Sequence, residues 1–120
     1  DVLLHALCDA LLGAAGMGDI GTQFPDTAAE WKGADSKELL KLVMIKLTEA
    51  GWSVGNVDST LVMERPKIMP HVPAMRAVIA AILGVGEDAV GIKATTNEKL
   101  GFVGREEGAC AHAVALIERK

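Results

Sequence analysis

The spacing of apolar residues along this chain alternates between the helical period and the strand period. The segments with helical spacing are residues 1–15, 35–50 and Val72–Leu83. The segments that alternate like strands are residues 52–63, Val90–Thr95 and 109–118. The resulting order is helix, helix, strand, helix, strand, strand. It predicts an α+β fold in which helices pack on one face of a mixed β-sheet.

Residues at the segment boundaries support these limits. Asp35 followed by Glu38 is a capping box, which favours a helix start. Pro73 suits the first turn of the third helix, and Gly84 suits its end. The strand alternation slips near Gly55, which predicts a β-bulge. The connecting residues 16–33, 64–71 and 96–108 are rich in Gly, Pro and charge, and we expect them to be loops.

Length and composition limit the organisation of the protein. A chain of 120 residues is predicted to form one domain that buries a core without disulfides. Half of the residues are hydrophobic and mean hydropathy is +0.29, although only 3% are aromatic. This aliphatic surplus favours an oligomer, because exposed apolar patches usually meet a partner. An unusually apolar monomer is the alternative.

Several classes of protein are disfavoured by the charge and the cysteines. The net charge is −4 with no basic stripe, which argues against nucleic-acid binding. Cys8 and Cys110 lie far apart in apolar segments, so we interpret both as reduced core residues of a cytosolic protein. No apolar run approaches the roughly 20 residues of a membrane span, and no signal peptide is visible.

His5 is the first candidate for chemistry. Asp1, which also suits the helix N-cap, precedes it by one turn and Asp9 follows it by one turn, so two carboxylates flank the imidazole. Such a histidine can bind a divalent metal, and Asp9 could orient it. A histidine on the helix surface with charged neighbours explains the same spacing. The remaining histidines, His71 and His112, match no metal-ligand pattern and are interpreted as structural.

Two Gly-containing loops hold further candidates. The loop from Asp19 to Thr27 carries two carboxylates beside glycine, a combination that suits polyol hydroxyls but also ordinary turns. The stretch from Lys93 to Arg105 combines hydroxyls, one carboxylate, cations and glycines. That mixture suits a diphosphate with magnesium, and a solvated loop with chance charges is the alternative.

Four stretches together resemble the 2-C-methyl-D-erythritol 2,4-cyclodiphosphate synthase family. They are DVLLHALCDALLGAAGMGDIGTQFPDT, KGADS, GNVDSTLVMERPKIMPH and IKATTNEKLGFVGREEG. Their order and spacing match from Asp1 to the C-terminus, so the resemblance covers residues 1–120 as one domain. It implies conversion of 4-diphosphocytidyl-2-C-methyl-D-erythritol 2-phosphate to the cyclic 2,4-diphosphate with release of CMP. That reaction belongs to the non-mevalonate pathway of isoprenoid precursors.

The resemblance also implies a set of site residues. The residues that would contact the methylerythritol phosphate are Asp19, Ile20, Gly21, Phe24, Pro25, Asp26, Thr27 and Ala28. Those that would line the cytidine pocket are Met63, Glu64, Arg65, Pro66, Lys67, Ile68 and Met69. Those that would hold the diphosphate are Thr95, Thr96, Asn97 and Glu98, with Phe102 and Arg105 completing the substrate contacts. Thr96 would stabilise the transition state.

The implied cofactors are two metals. His5 would bind zinc or a similar divalent ion, and Glu98 would bind magnesium or manganese. In the family, a segment upstream of the equivalent histidine supplies an Asp-x-His motif with two further zinc ligands. This chain opens with Asp1 already in a helical pattern, so we expect that segment to lie upstream of the sequence given. Ala28 and Asn97 depart from the acidic residue and the threonine that are common in the family.

The resemblance further implies a metal-dependent phosphorus–oxygen lyase and a homotrimer with active sites between subunits. A bacterial cytoplasmic enzyme is expected; a plastid origin stays open, because a transit peptide would lie upstream. Two other hypotheses remain. One is a trimer of the same fold that binds a cytidine nucleotide or an isoprenoid diphosphate without catalysis. The other is one half of a fused protein whose other half makes the cytidyl substrate.

Overall fold

The computed structural model describes residues 2–25 and 35–120, which form five α-helices, two 3-10 helices (Met69–His71 and Glu87–Ala89) and three strands. The helices are α1 (Val2–Ala14), α2 (Ile20–Gln23), α3 (Ser36–Glu49), α4 (Val72–Leu83) and α5 (Gly101–Gly104). The strands are β1 (Trp52–Val62), β2 (Val90–Thr95) and β3 (Cys110–Arg119). None of the described helices is long and apolar enough to cross a membrane.

The three strands form one mixed sheet in the order β2–β1–β3. β1 and β2 run parallel, with Val57 opposite Val90 and Val62 opposite Thr95. β1 and β3 run antiparallel, with Val62 opposite Cys110. A parallel pair requires a crossover connection, which α4 supplies. The end of β1, the end of β2 and the start of β3 therefore lie at the same end of the sheet.

The helices cover one face of this sheet. α1 packs on β3 and β1, α3 packs on β1, and α4 packs on β2. The covered face of β1 presents Val57 and Leu61, which are both buried. The most deeply buried large side chains include Leu3, Leu7, Leu11, Leu12, Leu39, Leu40, Leu47 and Ile79. The prediction of helices on one face of a mixed sheet is thus confirmed for the described residues.

Most of the predicted boundary signals act as expected. The Asp35 carboxylate accepts a hydrogen bond from the Lys37 N–H at 3.0 Å, which caps α3. The Glu38 carboxylate pairs with Lys41 at 3.0 Å rather than with the Asp35 N–H, so the N-cap is confirmed but the reciprocal bond of the predicted capping box is not formed between these two described residues. Gly84 ends α4 with a left-handed φ of 73°. The register between β1 and β3 shifts between Val54 and Asn56, which confirms the bulge near Gly55.

All three predicted loops contain short helices that were not predicted, including a 3-10 helix at Met69–His71 within residues 64–71. α2 lies within residues 16–33 and α5 lies within residues 96–108. Each is four residues long, too short for a periodic pattern to reveal. The strand limits also differ slightly, because β1 ends at Val62 rather than at residue 63 and β3 runs from Cys110 to Arg119. Residue 1, with its predicted capping role, lies outside the described residues.

The two cysteines differ in environment. Cys8 is fully buried beneath the sheet, and burial raises the pKa of its thiol to about 12. Cys110 is only partly buried. The prediction of a core position is therefore confirmed for Cys8 and holds only in part for Cys110, because Cys110 starts an edge strand.

Candidate functional site

The connections that follow β1 and β2 meet where these two strands end. The Met63 N–H, just after β1, donates to the Thr95 carbonyl at 3.0 Å. The Asn97 N–H, just after β2, donates to the Glu64 carboxylate at 2.7 Å. Ligands of α/β sheets commonly bind beyond the carboxyl ends of parallel strands. The predicted cytidine and diphosphate residues are thus brought together here by the parallel pairing of β1 and β2.

A cleft of about 250 Å³ opens between these connections. Its walls come from the loop after β1 and from the end of β2. The residues that line it are Met63, Glu64, Pro66, Lys67, Ile68, Met69, Ala94, Thr95 and Thr96. Arg65 is absent from this lining, and its side chain pairs with Glu106 at 2.8 Å. The sequence analysis missed Ala94, because an alanine inside a strand carries no chemical signal.

The loop after β2 turns sharply beside the cleft. Glu98 and Lys99 adopt left-handed φ values of 53° and 62°, a conformation that non-glycine residues rarely take. Gly101 is also left-handed, and a Cβ at Gly104 would overlap the Lys99 backbone. The Glu98 N–H is 3.3 Å from the Thr96 hydroxyl. The glycines therefore allow a compact turn that contains Thr96 and Glu98 directly after β2.

Phe102 and Arg105 lie beyond this turn. The Phe102 ring is half exposed and lies against Gly108. The Arg105 guanidinium binds Glu107, with Nε and one terminal nitrogen 3.0 and 3.1 Å from the two carboxylate oxygens. Both partners are more than half exposed, so the pair adds little stability and can open. Arg105 can reach a substrate only if it exchanges this partner.

His5 belongs to a second group of residues on α1. Its Nε2 atom lies 3.4 Å from the hydroxyl of Ser36, the first residue of α3. Partial burial lowers the pKa of His5, while the Asp9 carboxylate acts in the opposite direction. The position of Ser36 beside His5 was not predicted from the sequence.

Asp9 and Asp19 organise the segment after α1. The Asp9 carboxylate accepts the Ile20 N–H at 2.9 Å. Asp19 caps α2 by accepting the Thr22 N–H and hydroxyl, each at 2.8 Å. The bond from the Thr22 backbone, followed by that from its hydroxyl, lowers the pKa of Asp19. The Asp9 carboxylate therefore ties the start of α2 to α1. The sequence had suggested only that Asp9 could orient His5.

The rest of the first predicted subsite is described only in part. Ile20 and Phe24 are partly buried and pack against the core, and the Lys46 ammonium lies 5.4 Å from the centre of the Phe24 ring. Gly21 and Pro25 are exposed. Three further predicted residues, Asp26, Thr27 and Ala28, lie outside the described residues.

The described residues fit the two implied metals differently. Within residues 2–25 and 35–120, no group of three or more His, Cys, Asp or Glu side chains could hold a metal ion. A protein zinc site needs three or four ligands, so His5 alone does not fit zinc. Magnesium is commonly held by one or two carboxylates together with substrate phosphates and water. The exposed carboxylate of Glu98 beside the cleft fits that second pattern.

A larger groove of about 580 Å³ lies at the other end of the sheet. It is formed by the last turns of α3 and α4 and by the start of β1, including Met44, Ile45, Trp52 and Ile82. None of the predicted site residues lines it. We therefore place the candidate site at the smaller cleft, where the Thr95 and Thr96 hydroxyls lie with Lys67.

Comparison with known proteins gives the chain its family. The model of the YgbB family matches residues 1–118. The chain belongs to the YgbB family. It is 62% identical over 118 residues to the 2-C-methyl-D-erythritol 2,4-cyclodiphosphate synthase of Thioalkalivibrio sulfidiphilus, a match that covers 98% of this chain and 74% of that protein. The resemblance stated from the sequence stretches is confirmed.

Solved structures of YgbB-type synthases share the fold. The bifunctional IspDF of Campylobacter jejuni is 43% identical with a TM-score of 0.94, over all of this chain and 32% of that one. The CDP complex of IspF from Plasmodium falciparum is 29% identical with a TM-score of 0.87, over all of this chain and 72% of that one. A member of this family has therefore been seen with CDP bound.

Proposed function

We propose that this YgbB-family chain is a 2-C-methyl-D-erythritol 2,4-cyclodiphosphate synthase of the non-mevalonate pathway. It converts 4-diphosphocytidyl-2-C-methyl-D-erythritol 2-phosphate to the cyclic 2,4-diphosphate and releases CMP. The relative that is 62% identical to this chain is named as this synthase, which supports the activity. The observation within the molecule that carries it is the cleft at the ends of β1 and β2.

The shape of the cleft suits a cytidine diphosphate. The walls from Met63 to Met69 combine apolar side chains with Lys67, and a rigid Pro66 precedes that lysine. Such a wall can hold a flat base through apolar contact and through fixed backbone groups. The Thr95 and Thr96 hydroxyls on the opposite wall suit phosphate oxygens.

The reaction depends on alignment of the two reacting phosphates and on stabilisation of their charge more than on a covalent nucleophile. The 2-phosphate attacks the β-phosphorus, and the bond from that phosphorus to the CMP oxygen breaks. Both reacting groups are anionic, so they must be aligned and screened. We assign stabilisation of the transition-state charge to the Thr96 hydroxyl. Cys8 cannot act as a nucleophile, because its thiol is buried and protonated.

We extend the proposal to metals, and hence to a metal-dependent phosphorus–oxygen lyase. Glu98 would hold magnesium or manganese, which would screen the phosphate charges when the substrate is bound. His5 would supply one ligand of a zinc ion, whose other ligands must come from outside the described residues. Asp19, Ile20 and Gly21 would contact the methylerythritol phosphate; Phe24 and Pro25, with Asp26, Thr27 and Ala28, belong to the same proposed subsite.

We further propose that the chain forms a homotrimer with active sites between subunits. The face of β3 turned away from the helices exposes Val114 by 68% and Leu116 by 59%. Two large apolar side chains on one open strand favour contact with another subunit. A bacterial cytoplasmic enzyme remains our expectation, and a plastid origin stays as the alternative.

The first experiment is a calorimetric titration of this chain with CDP and with ADP in the presence of magnesium. It tests the cleft within the described residues and needs no zinc ligand. We expect CDP to bind at least about tenfold more tightly than ADP, a difference that one lost base-specific hydrogen bond to a charged group can produce.

A second measurement separates an enzyme from a binding protein. Release of CMP from the cytidyl substrate is followed with magnesium present, for a chain that includes any upstream segment. CDP preference together with CMP release supports the synthase. CDP preference without CMP release favours the non-catalytic binding protein. Equal binding of CDP and ADP contradicts the assignment of the cytidine pocket.

A further inference from the structure

Two neighbouring residues after β1 reach across the cleft to the Gly-rich loop after β2. The Glu64 carboxylate accepts the Asn97 N–H at 2.7 Å. The Arg65 Nε donates to the Glu106 carboxylate at 2.8 Å. The proposed cytidine wall is therefore linked to the proposed diphosphate residues at Asn97, and to the segment that follows α5 at Glu106.

The Glu64 bond is the more consequential of these two links. Arg65 is 81% exposed in its side chain, and exposed ion pairs contribute little because water screens them and both side chains lose entropy. By contrast, a short bond from a backbone N–H to a carboxylate is charge-assisted. It also fixes the main chain rather than a second flexible side chain.

The position of Asn97 decides what this bond controls. The Asn97 N–H belongs to the peptide that joins Thr96 to Asn97, directly before the left-handed residues Glu98 and Lys99. The Asn97 side chain also donates to the Leu100 carbonyl at 2.9 Å. An acceptor at this one N–H thus sets the direction in which the turn carrying Thr96 and Glu98 leaves β2.

We propose that Glu64 is a positioning residue that locks the proposed diphosphate loop to the wall of the proposed cytidine pocket. The proposal rests on the cytidine diphosphate site proposed above. Glu64 acts through Asn97 by offering an acceptor oxygen to its N–H, and the carboxylate charge strengthens that bond. Loss of the acceptor lets the turn shift, so a ligand that spans both parts loses more affinity than one that fills the base pocket alone.

The test compares Glu64→Ala with Glu64→Gln, which retains an acceptor oxygen. CDP and cytidine are titrated separately into each variant, and Glu87→Ala, at an exposed glutamate remote from the cleft, is the control. We expect Glu64→Ala to weaken CDP about tenfold, as loss of a charge-assisted bond does, and cytidine much less. Glu64→Gln should recover most of the CDP affinity.

Hydrogen exchange of backbone amides tests the same bond without any ligand. In nitrogen-15 spectra, the Asn97 amide should exchange at least about tenfold faster in Glu64→Ala than in the unaltered protein. The Met63 amide, which donates to Thr95 at 3.0 Å in the same region, should not change. It serves as an internal control for fraying of the sheet.

These measurements separate the two proposals. If the unaltered protein does not prefer CDP, the proposed function fails, while the exchange of Asn97 still decides the role of Glu64. Unchanged exchange at Asn97 in Glu64→Ala overturns the positioning role. Equally faster exchange of the Met63 amide also overturns it, because the whole region would then have loosened. A Glu64→Gln variant that binds CDP as weakly as Glu64→Ala overturns it as well.

Discussion

Glu98 presents a carboxylate from a left-handed backbone beside the cleft. It is also the only carboxylate in the sequence run from Thr95 to Lys99. We predict that Glu98→Gln lowers CMP release by at least about 100-fold, the loss typical when one charge-stabilising group is removed. The proposed trimer should remain intact, because the Glu98 side chain is exposed and does not contribute to the core.

Glu49→Gln is the matched control for Glu98→Gln, since Glu49 is an exposed carboxylate at the end of α3. It should release CMP at the rate of the unaltered protein. Both variants are assayed for CMP release and for mass by light scattering. Full activity of Glu98→Gln would rule out the metal role that we propose for this residue.

His5 is the single described histidine on α1, and partial burial lowers the pKa of its imidazole, which favours the neutral ring. The neutral ring is the form that binds metals. We predict that His5→Ala reduces the zinc content of a chain that includes the upstream segment, as measured by elemental analysis. His112→Ala, on the exposed side of β3, should retain zinc. An unchanged zinc content in His5→Ala would contradict the proposed ligand.

At the scale of elements, α2 depends on one charged cap. The pKa of Asp19 is lowered by the Thr22 bonds, so Asp19 favours the folded state above its unfolded pKa of about 3.9. That contribution is lost as pH falls through the lower, folded pKa. We predict that Asp19→Asn loses less stability than the unaltered protein between pH 5 and strongly acidic pH, as measured by denaturant unfolding at each pH. If the unfolding free energies of the two proteins change in parallel with pH, protonation of Asp19 does not contribute to folding.

The end of α4 offers a test of backbone conformation alone. Gly84 has a left-handed φ of 73°, Gly13 lies within α1, and a Cβ at either glycine would meet nothing within 4 Å. Gly84→Ala should therefore cost about 1 kcal/mol of the free energy of unfolding, whereas Gly13→Ala should add about 0.5 kcal/mol. Chemical denaturation measures both. A loss at Gly13 as large as that at Gly84 would contradict the conformational explanation.

At the scale of the whole molecule, the open face of the sheet is the surface that we expect to mediate assembly. The double variant Val114→Lys with Leu116→Lys places two charges on this face and should shift the mass from trimer to monomer in light scattering. Ile45→Lys is the control, because Ile45 is 52% exposed on the helical layer. A trimer that survives the double variant would place the interface elsewhere.

The amino-acid sequence determined the elements and the kind of chemistry. Periodic spacing identified α3, α4 and β2 with their limits nearly correct, because each is long enough or well enough bounded to show a period. The family stretches selected the residues of the candidate cleft. Hydrophobic spacing did not predict α2 and α5. A four-residue helix is determined by a capping residue or by glycines, since it is too short for apolar residues to recur with the helical period.

Only the tertiary structure decided which of these residues touch. The bond from Asn97 to Glu64 joins residues 33 positions apart, and that from Ile20 to Asp9 spans 11. Neither follows from local preference, because each depends on how whole elements pair: β1 with β2 in one case, and α1 with its following segment in the other. The sequence could name the chemical groups of the site, but the parallel pairing of two strands was needed to bring them to one end of the sheet.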